Sequence, residues 1–178
     1  MRLRIRFAKT GKVRFVGHRD VARLWERGLR KASLSVAYSE GFSPRPRLSF
    51  GLALSTGYES NAEYLEVELR EPFDDATWDC WKAEEVRARI DATLPVGIDV
   101  LAVAPSDRGE DSLQKAVTSC TWEIIVDGID VEEASTGVLE LLGRSQILLE
   151  RERKGKIFTE DIRHQLLALE VNGDADDG

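Results

Sequence analysis

The stretch Arg2-Leu3-Arg4-Ile5-Arg6-Phe7-Ala8 alternates strictly between charged and apolar side chains. Successive side chains of a β-strand point to opposite faces of its sheet. Leu3, Ile5 and Phe7 would therefore share one face, and the three arginines would share the other. This alternation predicts a half-buried strand with a basic outer face.

The residues from His18 to Ala32 have the period of an amphipathic helix, with an apolar face and an opposite face of arginines. The apolar residues are Val21, Leu24, Trp25 and Leu29, and the arginines are Arg19, Arg23, Arg27 and Arg30. A solvated helix face normally mixes charges of both signs, because like charges four residues apart destabilise a helix. We call these four arginines the arginine stripe. The stripe indicates a surface for an anion, and an ordinary solvated face is the alternative.

A rigid loop follows, with the sequence Ser39-Glu-Gly-Phe-Ser-Pro-Arg-Pro-Arg-Leu-Ser-Phe-Gly51. Proline fixes its own φ angle and restricts the residue before it to extended geometry, so this proline loop has a stiff backbone. It presents one aromatic ring, Phe42, and two guanidiniums, Arg45 and Arg47. That combination suits recognition of an anionic ligand that can stack.

The order of the remaining elements indicates an α+β fold. Val13 to Val16 reads as a short return strand or extended segment, and a short strand and a further extended segment flank the proline loop. Ala62 to Glu71 alternates as a strand, a helix capped by Asp74 or Asp75 follows, and Ile98 to Val103 forms another strand. Apart from one additional extended piece, the order is βαββαβ, which is that of the ferredoxin-like unit.

Composition divides the chain into four parts. We expect a ferredoxin-like, basic-faced domain over residues 1–105 and a polar linker over 106–112. A smaller α+β portion of βαβ type, residues 113–171, would pack on that domain, and 172–178 would be a disordered acidic tail. The smaller portion is predicted to contain a strand over Cys120 to Asp127, a helix over Val131 to Leu142, and a hairpin over Ile147 to Thr159.

Charge is segregated along the sequence. The net charge is −7, but residues 1–50 contain 13 Lys or Arg and 3 acidic residues, a net of +10. The remaining chain contains 12 basic and 29 acidic residues, a net of −17. A protein repelled as a whole by polyanions can still bind one through a basic face. The alternative is that the basic and acidic regions simply attract each other.

Several classes of chemistry lack their usual signatures. Cys80 and Cys120 lie far apart, and the 2 histidines offer few further ligands, so we predict neither a disulfide framework nor a metal site. No phosphate-loop, dinucleotide, HExxH or GxSxG motif occurs, and we predict no cofactor. No signal peptide and no apolar run of about 20 residues is present, so we expect a cytoplasmic protein without a membrane span.

Two residues are candidates for catalysis. His18 begins the arginine-striped helix, and imidazole titrates near neutrality, so it could serve as a general acid or base beside a bound phosphate. Asp20 could assist it. The structural alternative is that His18 bonds to the loop and that Asp20 caps the helix or holds an arginine.

A second basic patch surrounds the Lys-Gly-Lys turn of the C-terminal hairpin. It comprises Arg151, Arg153, Lys154 and Lys156, with Arg163 further on. Such a hairpin could clamp a phosphate of a nucleic acid, and a solvated turn is the alternative.

Four segments occur in an order that resembles a known bacterial family. They are Phe7 to Asp20 with its Gly-His-Arg-Asp, Trp25 to Ala32, Ala37 to Phe50 with its Gly-Phe-Ser-Pro-Arg-Pro, and Gly57 to Leu69. Together they resemble the radical-SAM-linked family known as domain of unknown function 2344. The resemblance is strong over residues 1 to about 105 and weak beyond.

The resemblance implies an accessory role to a cobalamin-binding radical S-adenosylmethionine protein, with RNA as the expected target. Members often carry histidine where this chain has Arg45, and Ser-His-Leu-Asp where it has Gly17-His-Arg-Asp. Arg45 argues against an essential catalytic histidine in the loop and leaves anion binding intact. The chain lacks an iron–sulfur cysteine triad and is not itself the radical enzyme.

We therefore expect a non-catalytic RNA-binding accessory protein. The arginine stripe, Arg45 and Arg47 would contact phosphates, and Phe42 would stack on a base. Two alternatives stay open. The chain could be an adaptor that docks the radical enzyme without RNA, or an RNA-modifying enzyme that uses His18 and Asp20.

Overall fold

The computed structural model describes residues 1–71, 78–106 and 109–172, and only the backbone of Arg153. The chain is a mixed α+β protein that divides into two units, Met1–Cys120 and Thr121–Gly178. The first unit contains β1 (Arg2–Lys9), α1 (His18–Lys31), β2 (Leu48–Phe50), β3 (Ser60–Glu68), α2 (Cys80–Asp91), β4 (Ile98–Ser106) and α3 (Leu113–Ala116). The division falls after α3, beyond the segment 106–112 that the composition suggested as a linker.

A four-stranded antiparallel sheet in the order β2-β3-β1-β4 forms the centre of the first unit. β1 pairs with β3 on one side and β4 on the other, and Leu3 lies opposite Val67. Leu3, Ile5 and Phe7 are buried, as their alternation predicts, because they face the core that lies beneath the helices.

Helices α1 and α2 cover that apolar face of the sheet. The buried indole of Trp25 meets the ring of Phe7 edge-on, with 4.9 Å between the ring centroids. Val86 and Ile90 of α2 join the same core. The predicted helix from His18 to Ala32 agrees with α1 to within one residue.

The opposite face of the sheet is held together by ion pairs. Glu66 is only 3% exposed, and its carboxylate receives Arg2 Nη1 at 2.8 Å and Arg4 Nη2 at 2.7 Å. Arg4 Nη2 also lies 3.2 Å from the Glu110 carboxylate. Leu113, three residues after Glu110, is buried. The predicted basic outer face of β1 is thus largely neutralised by acidic residues from later in the chain.

The proline loop is the end of an irregular hairpin. Tyr38 forms an isolated β-bridge with Pro46 across the hairpin, and Val36 forms one with Leu69, just after β3. Neither bridge belongs to a continuous strand. The hairpin continues into β2, which is three residues long and pairs with β3.

Two local predictions need correction. Val13 to Val16 is not a strand, because Gly11 has a φ of +59° and opens a 3₁₀ helix over Gly11–Phe15. Helix α2 is capped by Asp79, whose carboxylate accepts the Lys82 amide at 2.8 Å. Asp74 and Asp75 lie outside the described residues.

In the second unit, residues 121–172 as described form one helix and one hairpin: α4 (Val131–Gly143), β5 (Leu148–Arg153) and β6 (Lys156–Asp161), followed by a 3₁₀ turn at Arg163–Gln165. The strand predicted over Cys120 to Asp127 is not formed, because the backbone there enters no β-ladder in the described chain. Asp161 accepts the amides of Ile147 and Arg163 at 2.9 and 3.0 Å, which lowers the pKa of its carboxyl.

Apolar side chains of the second unit are widely exposed. Among the residues described there none is buried, and Trp122, Ile125 and Ile157 are each more than half exposed. A two-stranded hairpin is at best marginally stable by itself. Residues 173–178, most of the tail predicted to be disordered, lie outside the described residues.

Replacing Gly97 by alanine should destabilise the first unit. Gly97 has a φ of +94°, and an added Cβ would lie 2.6 Å from the Thr10 carbonyl oxygen, where the two backbones also share a hydrogen bond of 2.8 Å. We expect Gly97→Ala to lower the free energy of unfolding by roughly 1–3 kcal/mol. Gly109→Ala is the control, because a Cβ added there meets no atom within 4 Å. Urea denaturation should show that it changes the free energy of unfolding by less than about 0.5 kcal/mol. Equal stabilities of the two variants would contradict this close approach.

Candidate nucleic-acid interface

A surface depression of about 410 Å³ lies where the N-terminal half of α1 meets the proline loop. Its lining consists of His18, Arg19, Ala22, Arg23, Glu26 and Arg45. The proline loop and the first half of the arginine stripe therefore share one face. Arg27 and Arg30 are exposed further along the helix and do not line the depression.

The hairpin backbone holds Arg45 in place. The Ser39 amide donates to the Arg45 carbonyl at 2.8 Å, and the Arg45 amide donates to Ser39 Oγ at 3.0 Å. Gly41 turns the chain between them with a φ of +127°. Phe42 projects from the tip of this turn and is fully exposed.

Arg47 has a different environment from Arg45. Its Nη1 lies 3.1 Å from the Glu68 carboxylate of β3, and it does not line the depression. The structure thus brings Arg45 to the stripe and pairs Arg47 with the sheet.

The depression carries a positive charge that the neighbouring acids only partly balance. Arg23 pairs with Asp20 at 3.0 Å, an exposed contact that contributes little energy. Within the described chain, Arg19 and Arg45 form no ion pair with any carboxylate. Glu26 is the acidic residue of the lining, so guanidinium charge predominates there.

His18 connects the depression to a group of charged residues at the end of the sheet. Its ring meets Phe50 edge-on at 4.9 Å. Burial raises the pKa of Glu63 on β3, while a hydrogen bond from Ser60 and the charges of Lys9 and His18 oppose that rise. Lys9 is itself 3% exposed and donates to the Arg14 carbonyl at 3.3 Å.

Lys9 and Glu63 were not predicted to lie near the site, although the sequence pattern could have indicated them. Each occupies the buried phase of its strand, after Phe7 on β1 and before Leu65 on β3. A charged residue at a strand position where the alternation predicts an apolar one is rarely buried without a partner. Such a position in the sequence therefore indicates an interacting charged group. Asp20 accepts a hydrogen bond from Arg23, which is the alternative in which it holds an arginine, and no side chain of the described residues caps the start of α1.

The second basic patch lies on the β5–β6 hairpin. Lys154 and Gly155 form its turn with positive φ angles of 54° and 73°, and Lys156 is exposed beside them. Arg151 lies 3.7 Å from Glu160, so one of the patch arginines is already paired. The side chain of Arg153 is not among those described.

In the described ranges, no helix has the length and apolar character that crossing a membrane requires. The same residues contain no group of three or more His, Cys, Asp or Glu side chains placed to hold a metal. Cys80 and Cys120 are free, exposed thiols.

Fold and depression together define an α+β protein with a guanidinium-rich face built from one helix and one hairpin. The chain belongs to the family described as "Uncharacterized protein conserved in bacteria (DUF2344)", whose model matches residues 2–176. That match extends through the second unit, well beyond the N-terminal motifs. No curated protein and no solved structure matches the chain.

The raised pKa of Glu63 predicts a pH-dependent stability. A carboxyl whose pKa is higher in the folded than in the unfolded state favours folding when protonated, and this contribution disappears as the pH rises. The free energy of unfolding of the wild type should therefore fall, relative to Glu63→Gln, as the pH rises from the ordinary value of 4.5 through the raised pKa.

Chemical denaturation of both proteins across that pH range measures the effect. A difference between them that stays constant with pH would contradict it. A difference of opposite sign would show that the attraction of Lys9 and His18 outweighs the cost of burying the carboxylate.

Proposed function

We propose that this chain is a non-catalytic RNA-binding protein that accompanies a radical S-adenosylmethionine enzyme. The observation that carries the RNA-binding part is the convergence of Arg19, Arg23 and Arg45 in one depression. Phosphate contacts from arginine supply most of the affinity of sequence-independent nucleic-acid binding. The association with a radical enzyme rests on the family resemblance.

We further propose that the first unit is ferredoxin-like. Strands β1 and β2 are parallel with β3 between them, and β3 and β4 are parallel with β1 between them, since every neighbouring pair is antiparallel. One helix follows the first strand of each such pair. Two interleaved split βαβ units of this kind support the assignment.

The helical face of the first unit is a better RNA surface than the open face of its sheet. Sheet-based RNA binding uses exposed aromatic side chains on which bases stack. Here the ion pairs of Arg2 and Arg4 with Glu66 occupy the centre of the outer sheet face. The buried side chain of Leu113 lies close to Gly51, which Tyr64 also contacts. An RNA binding there would have to displace the protein's own ion pairs.

RNA on the helical face would follow α1 from the depression towards its C-terminal end. Arg19 and Arg30 are separated by roughly 16 Å along the helix axis at ~1.5 Å per residue. Arg27 and Arg30 are exposed along this path and form no ion pair in the described chain. Phe42 offers a fully exposed ring for stacking on an unpaired base.

A protein adaptor is the second candidate function, and the second unit is the reason to keep it. Its exposed apolar side chains, among them Trp122, Ile124 and Ile125, are more typical of a surface that contacts another protein than of one that contacts phosphate. Both functions could belong to one chain, with RNA on the first unit and the enzyme on the second.

Removal of Arg19 and Arg45 should weaken RNA binding and its dependence on salt. Each phosphate contact with single-stranded RNA contributes about 0.7 to the slope of log K against log salt. The double variant Arg19→Gln/Arg45→Gln should therefore lower the magnitude of that slope by about 1.4 and weaken binding roughly tenfold or more at physiological salt. Fluorescence anisotropy with a labelled single-stranded oligoribonucleotide measures both quantities.

The matched control is Arg6→Gln/Arg89→Gln, which removes the same charge from the outer sheet face and from α2. Its slope and affinity should stay close to those of the wild type. Equal effects of the two double variants would point to non-specific attraction and contradict the site. If no RNA binds, but a radical enzyme co-purifies through high salt and nuclease treatment, the adaptor function is favoured.

A further inference from the structure

We propose that the depression at the start of α1 binds a phosphate monoester, either the phosphorylated end of an RNA or the phosphate of a free nucleotide. The inference rests on the proposed function, because it names the part of the ligand that this site takes. Internal phosphodiesters of an RNA would instead meet the exposed arginines further along α1.

Positive charge in the depression favours a phosphate monoester. Arg19 and Arg45 face the depression without a carboxylate partner in the described chain, and His18 lines it beside them. A phosphodiester carries a single negative charge, whereas a phosphate monoester carries about −1.5 to −2 at pH 7. Glu26 lines the same depression and offsets one positive charge, and the guanidiniums of Arg19 and Arg45 can each bond a different oxygen of the doubly charged group.

The shape of the site suits a terminal phosphate. About 410 Å³ lies within the range of roughly 300–1,000 Å³ typical of small-molecule sites, so the depression has room for one nucleotide. The walls come from two different elements, α1 on one side and the hairpin residue Arg45 on the other. Arginines on two sides can hold the several free oxygens of a terminal phosphate.

The arginines of this face that form no ion pair in the described chain fall into two groups. Arg19 and Arg45 lie inside the depression, whereas Arg27 and Arg30 lie on the same helix outside it. The inner pair would determine preference for a terminal phosphate, and the outer pair would contribute general affinity for the chain. This division makes the proposal separable from RNA binding as such.

The experiment compares oligoribonucleotides of one sequence that end in a 5′-phosphate, a 3′-phosphate or only hydroxyl groups, with the full-length protein. Adenosine monophosphate serves as competitor. We expect one phosphorylated end to bind about tenfold more tightly than the hydroxyl form, since one added charge-assisted contact has this magnitude. Arg19→Gln and Arg45→Gln should each reduce this ratio, and Arg30→Gln should weaken all three RNAs while leaving the ratio unchanged.

The outcomes separate the two proposals. Salt-dependent binding with equal affinity for all three RNAs would overturn the monoester site and leave the proposed function standing. Binding of the monophosphate without RNA binding would do the reverse. A preference that persists in both Arg19→Gln and Arg45→Gln would also overturn the site. Competition by the monophosphate as effective as that of phosphorylated RNA would identify free nucleotides as the source, and weak competition would identify RNA ends.

Discussion

The contact between Trp25 and Phe7 determines how the surface of the first unit is arranged. The indole is buried and lies edge-on to a ring of the central strand, with 4.9 Å between centroids. Large aromatic side chains dominate core energetics, so this pair fixes the rotation of α1 about its axis. With the apolar face of α1 held against the sheet, Arg19 and Arg23 are turned towards the hairpin that carries Arg45.

The same fold divides the early basic residues into two populations. Arg2 and Arg4 share the buried carboxylate of Glu66, where a hydrogen-bonded charge is compensated and costly to disrupt. Arg19 and Arg45 have no such partner in the part of the chain that the structure describes. Attraction between basic and acidic regions therefore explains the outer face of the sheet, and the proposed anion site is confined to the helical face.

Hydrophobic period was sufficient to predict β1 and α1, because burial of a strand face and of a helix face leaves a direct trace in sequence. It failed for Val13 to Val16, where the positive φ of Gly11 begins a 3₁₀ turn, and for Cys120 to Asp127, which alternates but enters no ladder in the described chain. The spacing of apolar residues along the sequence does not show which charged residues will pair. Nothing local in the sequence shows that Arg47 would meet Glu68 while Arg45 reaches the depression.

Cross-linking of the full-length protein to single-stranded RNA by ultraviolet light, with identification of the linked peptides by mass spectrometry, tests the central claim most directly. The account predicts links at Phe42 and in the segment from His18 to Arg23, because Arg45 of the hairpin lines one depression with the start of α1 and Phe42 is fully exposed on the same loop. Links confined to the outer face of the sheet, around Tyr64, or to the β5–β6 hairpin would contradict it.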